Sequence, residues 1–251
     1  MIVLISGASS GFGEEMARKF VRHGHRVIAT ARRADRLARL QQELGADILP
    51  LTMDVCDKAS IAAALASVPE SWKPIDVLIN NAGLALGTEA AHLASLDEWE
   101  TMIDTNAKGL VTLTRAILPA MVARHSGLII NIGSVAASTA YPGGNVYGAT
   151  KAFVEQFTRN LCADLVGTGV RVSNMAPGLC GGTEFSNVRY RGDDAAAAKV
   201  YAGTQPLTAA DIAESAYWIA CLPAHVNIVS IEMLPTCQGY AGFTIKRNVE
   251  G

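Results

Sequence analysis

The chain has 251 residues, half of them apolar and 18% charged, enough for one large core and too hydrophobic for disorder. A net charge of -2 lacks the basic excess that a nucleic-acid partner requires. No run approaches the roughly 18 consecutive apolar residues of a membrane span, and no charged leader precedes an apolar segment, so neither a membrane partner nor a signal peptide is expected.

Short β-branched runs alternate with longer amphipathic stretches. Strand Ile2–Ser6 leads into helix Gly11–His23, strand Arg26–Ala31 into helix Ala34–Leu44, and strand Asp47–Thr52 into helix Lys58–Val68. Strand Ile75–Asn80 then precedes helix Asp97–Arg124, and strand Leu128–Gly133 precedes helix Asn145–Gly167. Strand Gly169–Met175 is followed by an irregular stretch from Pro177 to about Gly203, by helix Thr208–Leu222 and by strand Val229–Leu234. Asp35 and Asp97 read as first-turn acids or caps. Several strands are apolar on both faces, as in a parallel sheet covered by helices on both sides. The pattern predicts an α/β fold, a Rossmann-type doubly wound parallel sheet of about seven strands, in a single domain spanning 1–251. The irregular stretch at 177–203 follows a strand's carboxyl end, where open sheets bind ligands, and reads as a substrate lid. The tail at 236–251, centred on Tyr240-Ala241-Gly242-Phe243, is expected to pack on a neighbouring subunit or to fray.

Gly7, Ser9, Ser10, Gly11, Phe12 and Gly13 lie between the first strand and the first helix. Glycines there let backbone turn sharply against a pyrophosphate, which the helix N-terminus then attracts. An NAD site places an acid about 20 residues further on, to hold the ribose 2′-hydroxyl. Ala31 occupies that place and Arg32 and Arg33 follow, a pair suited to a 2′-phosphate, so the cofactor expected is NADP(H). Asp54 and Val55 follow the third strand and border an adenine edge. Asn80, Asn81, Ala82 and Gly83 end the fourth, where small residues admit the cofactor and the amides can tie neighbouring strands together.

Tyr147 and Lys151 are four residues apart on a predicted helix and so share a face. A tyrosine with a pKa of about 10 is a poor base at neutral pH, and a neighbouring ammonium is expected to lower it. Ser134 ends the fifth strand, where its hydroxyl can hold a substrate oxygen beside Tyr147. The five cysteines are scattered and odd in number, pointing to reduced thiols in a cytoplasmic protein. No cysteine–histidine pair has ligand spacing, so no metal is expected.

The ordered set Gly7-x3-Gly11-x-Gly13, Asn80-Asn81-Ala82-Gly83, Asn106, Ser134, Tyr147-x3-Lys151 and Pro177-Gly178 resembles the short-chain dehydrogenase/reductase family over nearly the whole chain. The resemblance implies reversible hydride transfer between nicotinamide and a carbonyl or alcohol carbon. It also implies a tetrad of Asn106, Ser134, Tyr147 and Lys151. In it Ser134 polarises the substrate oxygen, Tyr147 exchanges its proton, Lys151 tunes the tyrosine and grips the nicotinamide ribose, and Asn106 anchors a relay water. Pro177, Gly178 and Cys180 are placed beside the cofactor, with Cys180 a packing residue and not a nucleophile. The family's usual tetramer would use the two long helices Asp97–Arg124 and Asn145–Gly167.

The runs Gly11-Phe12-Gly13-Glu14, Gly143-Gly144-Asn145-Val146-Tyr147 and Gly181 to Arg189 are similar to bacterial NADP-dependent 3-hydroxy acid dehydrogenases, which act on serine and 3-hydroxypropionate and reduce malonic semialdehyde. Sulfoacetaldehyde reductases share the scaffold. Either substrate class is a small anionic aldehyde or hydroxy acid, and Arg189, ahead of Arg191, is the expected anion ligand. Ala176 stands where the hydroxy acid dehydrogenases carry an acid, which argues against a substrate amino group. A non-catalytic NADP sensor on the same fold is the alternative of another class. The intact tetrad speaks against it.

Overall fold

Most strands are short apolar runs bounded by turn residues, β7 being half polar, and they assemble into one parallel sheet. In the computed structural model, which describes residues 1–240 and Ile245, β1 (Ile2–Ser6), β2 (Arg26–Ala31), β3 (Ile48–Thr52), β4 (Val77–Asn80), β5 (Gly127–Ile132), β6 (Val170–Pro177) and β7 (Ser230–Met233) line up in the order β3-β2-β1-β4-β5-β6-β7. Every neighbouring pair is parallel, with Ile5 opposite Ala29 and Ile79, and Asn131 opposite Asn80 and Asn174. The strand order reverses between β1 and β4, which opens a crevice at their carboxyl ends.

Alternation along the strands builds two cores. Val3 and Ile5 of β1 and Val27 and Ala29 of β2 face α1 (Gly11–Arg22) and α2 (Ala34–Leu44), with Phe20 fully buried between. Ile2, Leu4 and Ile28 face α3 (Lys58–Ala66) on the other side. Burying a side chain such as Phe20 or Leu4 contributes roughly 1.5–3 kcal/mol, so the two cores fix the sheet before any loop is placed.

β1, β2 and α2 have the expected bounds, and most other elements shift by one to three residues. The stretch expected as one helix over 97–124 is α4 (Leu96–Ile103), a π turn at Asp104–Gly109, and α5 (Leu110–Ala123). α6 (Asn145–Asp164) follows β5. The stretch expected to be irregular contains α7 (Phe185–Arg189) and α8 (Asp194–Tyr201), and α9 (Ala209–Cys221) follows. Asp35 and Asp97 are first-turn acids and not caps: Ser95 caps α4 through the Glu98 N–H, and Asp35 pairs with Arg39. The last residues of the expected tail lie outside the described residues, except Ile245, which bridges Gln238. Among the described residues no helix is long and apolar enough to cross a membrane.

Candidate active site

β1 delivers the chain into the turn at Gly7–Ser10. Gly7 has φ +70°, and a Cβ there would sit 2.9 Å from Ala82 Cα; a Cβ on Gly13 would be driven into the Gly7 carbonyl. Turn, helix and β4 end therefore approach as only glycine permits. Asn81 locks the approach, donating to the carbonyls of Ser6 at 2.9 Å and Gly7 at 3.1 Å. One strand in, Asn80 donates to Asn131 at 2.8 Å, so the amides do tie adjacent strands.

The N-terminus of α1 opens into a cleft of about 540 Å³ that runs along the carboxyl edge of the sheet. Gly7, Ser9, Ser10, Gly11 and Phe12 form one wall, with Ala82 and Gly83 behind and Arg32, Arg33 and Val55 at the far end. Gly13 lies buried beneath the turn. Asp54 does not line the cleft; its carboxylate accepts from the Cys56 N–H and shapes the loop that presents Val55. Ser10 stands at the helix start without capping it, because its hydroxyl accepts from Arg33 Nη2 at 2.7 Å. Arg33 Nε donates to Ser9 Oγ at 3.1 Å, whereas Arg32 is exposed. Uncapped helix N–H groups, a turn that only glycine can make and a guanidinium held beside it fit a phosphorylated dinucleotide.

At the near end of the cleft, β5 and α6 bring Ser134, Tyr147 and Lys151 together. Tyr147 is 8% exposed and Lys151 7%. Lys151 Nζ donates to the Ile132 carbonyl at 2.8 Å and lies 5.8 Å from the Tyr147 ring centre. Burial in this wall depresses the ammonium to about 8. Burial also raises the Tyr147 phenol above its ordinary value, and a hydrogen bond with Ser134 offsets part of that rise. The expected lowering of the tyrosine by Lys151 is not found: desolvation of the buried phenol dominates, the cation that opposes it is Arg189, and the Lys151 ammonium is turned toward the Ile132 carbonyl.

Asn106 sits in the π turn. It donates to the Leu84 carbonyl at 2.8 Å and accepts from the Leu84 N–H at 2.9 Å. Its amide also donates to Thr150 Oγ1 at 3.1 Å, and that hydroxyl donates to the Tyr147 carbonyl at 2.8 Å. A Cβ on Gly83 would lie 3.2 Å from Asn106 Oδ1 and 3.5 Å from Lys151 Nζ, so Asn106 sits buried behind the wall that Ser134, Tyr147 and Lys151 line and does not itself face the cleft. The widened helical turn is what lets Asn106 reach the loop after β4.

Pro177, Gly178 and Cys180 line the floor where the chain leaves β6. Burial pushes the Cys180 thiol up to about 12, in keeping with a packing role. Arg189 points into the cleft: it donates to Tyr141 Oη at 3.0 Å and to the carbonyls of Gly143 and Gly87, with its guanidinium 5.9 Å from the Tyr147 ring centre. Arg191 faces away, paired with Glu89 and Glu98 at 2.6 Å each. Ala176 is buried in β6 and does not line the cleft, so its side chain gives no reason to exclude a substrate amino group.

Tyr141, Tyr201 and Arg36 carry no signal in the sequence, whereas Glu184, Phe185 and Ser186 carry one only as members of the run Gly181 to Arg189. Tyr141, Ser186 and Tyr201 reach the cleft from three separate segments, and Phe185 packs 5.7 Å from Tyr147. Glu184 and Arg36 border the Arg33 end, joined by an ion pair of 2.7 Å.

Comparison with known proteins agrees with this geometry. A family model described as short chain dehydrogenase matches residues 1–193. The NADP-dependent 3-hydroxy acid dehydrogenase YdfG of Salmonella typhi is 58% identical over 248 residues, covering 99% of this chain and all of that protein. A solved structure of serine dehydrogenase in its closed form, complexed with NADP+, superposes with a TM-score of 0.95 at 58% identity, covering 98% of this chain and 100% of the other. Serine dehydrogenase from Escherichia coli gives a TM-score of 0.85 at 53% identity over 96% of this chain and 100% of that one.

Proposed function

Because the chain belongs to the short-chain dehydrogenase family, we propose that it is an NADP(H)-dependent oxidoreductase that interconverts a small anionic 3-hydroxy acid and its semialdehyde. The supporting observation is Arg189 in the cleft wall, 5.9 Å from the ring of Tyr147: a cation beside a proton donor suits a substrate whose carbonyl and anionic group lie a few atoms apart. The names of similar proteins point the same way.

The bound nicotinamide supplies or accepts the hydride. In this reading the Gly7–Gly13 turn and the start of α1 take the pyrophosphate, and Arg33, with Arg32 beside it, takes the 2′-phosphate. Val55, on the loop that Asp54 shapes, borders the adenine. Asn81, Ala82 and Gly83, with Pro177, Gly178 and Cys180, border the ribose and nicotinamide. Ser134 holds the substrate oxygen and Tyr147 passes a proton to or from it. Lys151, an ammonium below about pH 8, stabilises the phenolate that forms and binds the ribose. Asn106 anchors the water that returns the proton. Arg189 grips the carboxylate, and the stretch 177–203 closes over it as a lid.

The exposed apolar residues Leu96, Ile103 and Phe153, on α4 and α6, support a homotetramer, and five free thiols support a cytoplasmic setting. Light scattering on the purified chain tests the subunit count.

The deciding experiment compares kcat/KM with NADPH for malonic semialdehyde, succinic semialdehyde, sulfoacetaldehyde and a neutral aldehyde of similar length. Malonic semialdehyde is expected to rank first. A preference for sulfoacetaldehyde moves the enzyme to the sulfonate class. Tight NADPH binding without turnover of any short aldehyde moves it to the sensor class.

A further inference from the structure

The carboxylate of Glu184 lies across two guanidinium groups at the end of the cleft remote from Tyr147. Its Oε2 accepts from Arg33 Nη1 at 2.9 Å and its Oε1 from Arg36 Nη1 at 2.7 Å. Glu184 does not belong to the nucleotide-binding turn. It belongs to the lid, immediately before Phe185, whose ring packs against Tyr147. The carboxylate therefore ties the segment that packs Phe185 on Tyr147 to the cationic end of the cleft. Arg33 is held independently of it, by Ser9 and Ser10.

A 2′-phosphate brings nearly two negative charges and seeks the donors that Glu184 occupies. Two anions on one guanidinium repel each other, and each loses part of the hydrogen bonding it would have alone. Withdrawal of Glu184 leaves Arg33 still aimed by its two serines, ready for a second anion. Resting on the reading that Arg33 receives the 2′-phosphate, we infer that Glu184 is a specificity-determining residue: its carboxylate and the cofactor's 2′-phosphate exchange on Arg33 and Arg36. NADP(H) then displaces the lid's ion pair, whereas NAD(H), with no such phosphate, leaves it in place. Glu184 accordingly weakens the hold on NADP(H) alone and eases its release after turnover.

Isothermal titration of the full chain with NADP+, NAD+, 2′,5′-ADP and 5′-AMP tests this without any assumption about the substrate. Glu184→Gln removes the charge and keeps the shape at a half-exposed position, so folding is not at issue. The variant should bind NADP+ and 2′,5′-ADP roughly 3- to 10-fold more tightly, the scale of one or two partly exposed ion pairs, while NAD+ and 5′-AMP bind as before. The gain should vanish when Arg33 and Arg36 are both alanine. Unchanged or weaker NADP+ binding, or an equal shift for NADP+ and NAD+, overturns the exchange. Arg33→Ala separates the two readings. If that variant binds NADP+ undiminished, the phosphate site itself is misplaced. If it binds NADP+ poorly while Glu184→Gln shows no gain, only the exchange fails.

Discussion

The guanidinium of Arg189 lies over the ring of Tyr147, 5.9 Å from its centre, and is fixed there by Tyr141 and by the carbonyls of Gly87 and Gly143. In the proposed reading, this cation holds the substrate's anionic group. Arg189→Ala should raise KM for malonic semialdehyde roughly 10- to 100-fold, the scale of a charged hydrogen bond worth about 1.5–3 kcal/mol. A neutral aldehyde should be nearly unaffected. Equal effects on both substrates would remove Arg189 from the substrate site.

Tyr147→Phe deletes only the hydroxyl. We expect kcat/KM to fall by about 10²- to 10⁴-fold, the contribution typical of a positioned proton donor, with the Kd for NADP+ unchanged. Steady-state rates paired with a fluorescence titration of the cofactor give both numbers. Near-normal turnover by this variant ends the proton-transfer role.

Lys151 costs stability because it is buried as a cation. Its folded pKa, near 8, lies below the ordinary lysine value of 10.5, so between those limits the unfolded chain binds the extra proton and stability rises with pH. Below pH 8 the full penalty is present, up to about 3 kcal/mol at 1.36 kcal/mol per pKa unit. Lys151→Met should therefore be inactive yet more stable at pH 7, and should lose the rise between pH 8 and 10.5. Chemical denaturation at pH 7, 8 and 10 measures both effects; an unaltered pH profile would show that burial does not set this lysine's charge.

Gly13→Ala forces a Cβ into the Gly7 carbonyl, with the Asn81 amide close by. Overpacking of this kind costs about 1–3 kcal/mol, and the turn must move to relieve it. The variant should lose NADP+ affinity as well as melting temperature. A drop in Tm with cofactor affinity intact would mean that the turn does not cradle the pyrophosphate.

What the sequence revealed followed from local rules. The glycine turn, the Tyr147–Lys151 spacing and the bounds of β1, β2 and α2 depend on neighbours within a few residues, and each was legible. The two short helices in the lid were not, because glycines at 178, 181, 182, 192 and 203 mask periods of only five and eight residues. Arg189 and Arg191 look alike in sequence; only Glu89 and Glu98, about a hundred positions away, show which of them faces outward. The pairing of Glu184 with Arg33 likewise spans 151 positions and has no local signature. The sign of the Tyr147 shift was missed because spacing reveals the neighbouring charge but not the depth of burial.

The π turn at Asp104–Gly109 sets where the rod from α4 to α5 can tolerate a change of length. Each α-helical residue advances about 100° around the axis, so removing one residue from the first regular turn of α5 would swing everything beyond it by that angle, whereas the π turn carries a residue more than an α turn and can give one up with little rotation. Leu113 and Ile117 would then leave the sheet while Leu96 and Ile103 kept their outward aim. A deletion screen should therefore recover almost no folded single-residue losses in the first turn of α5, whereas the π turn and the loop at Ala90–Leu93 should absorb them.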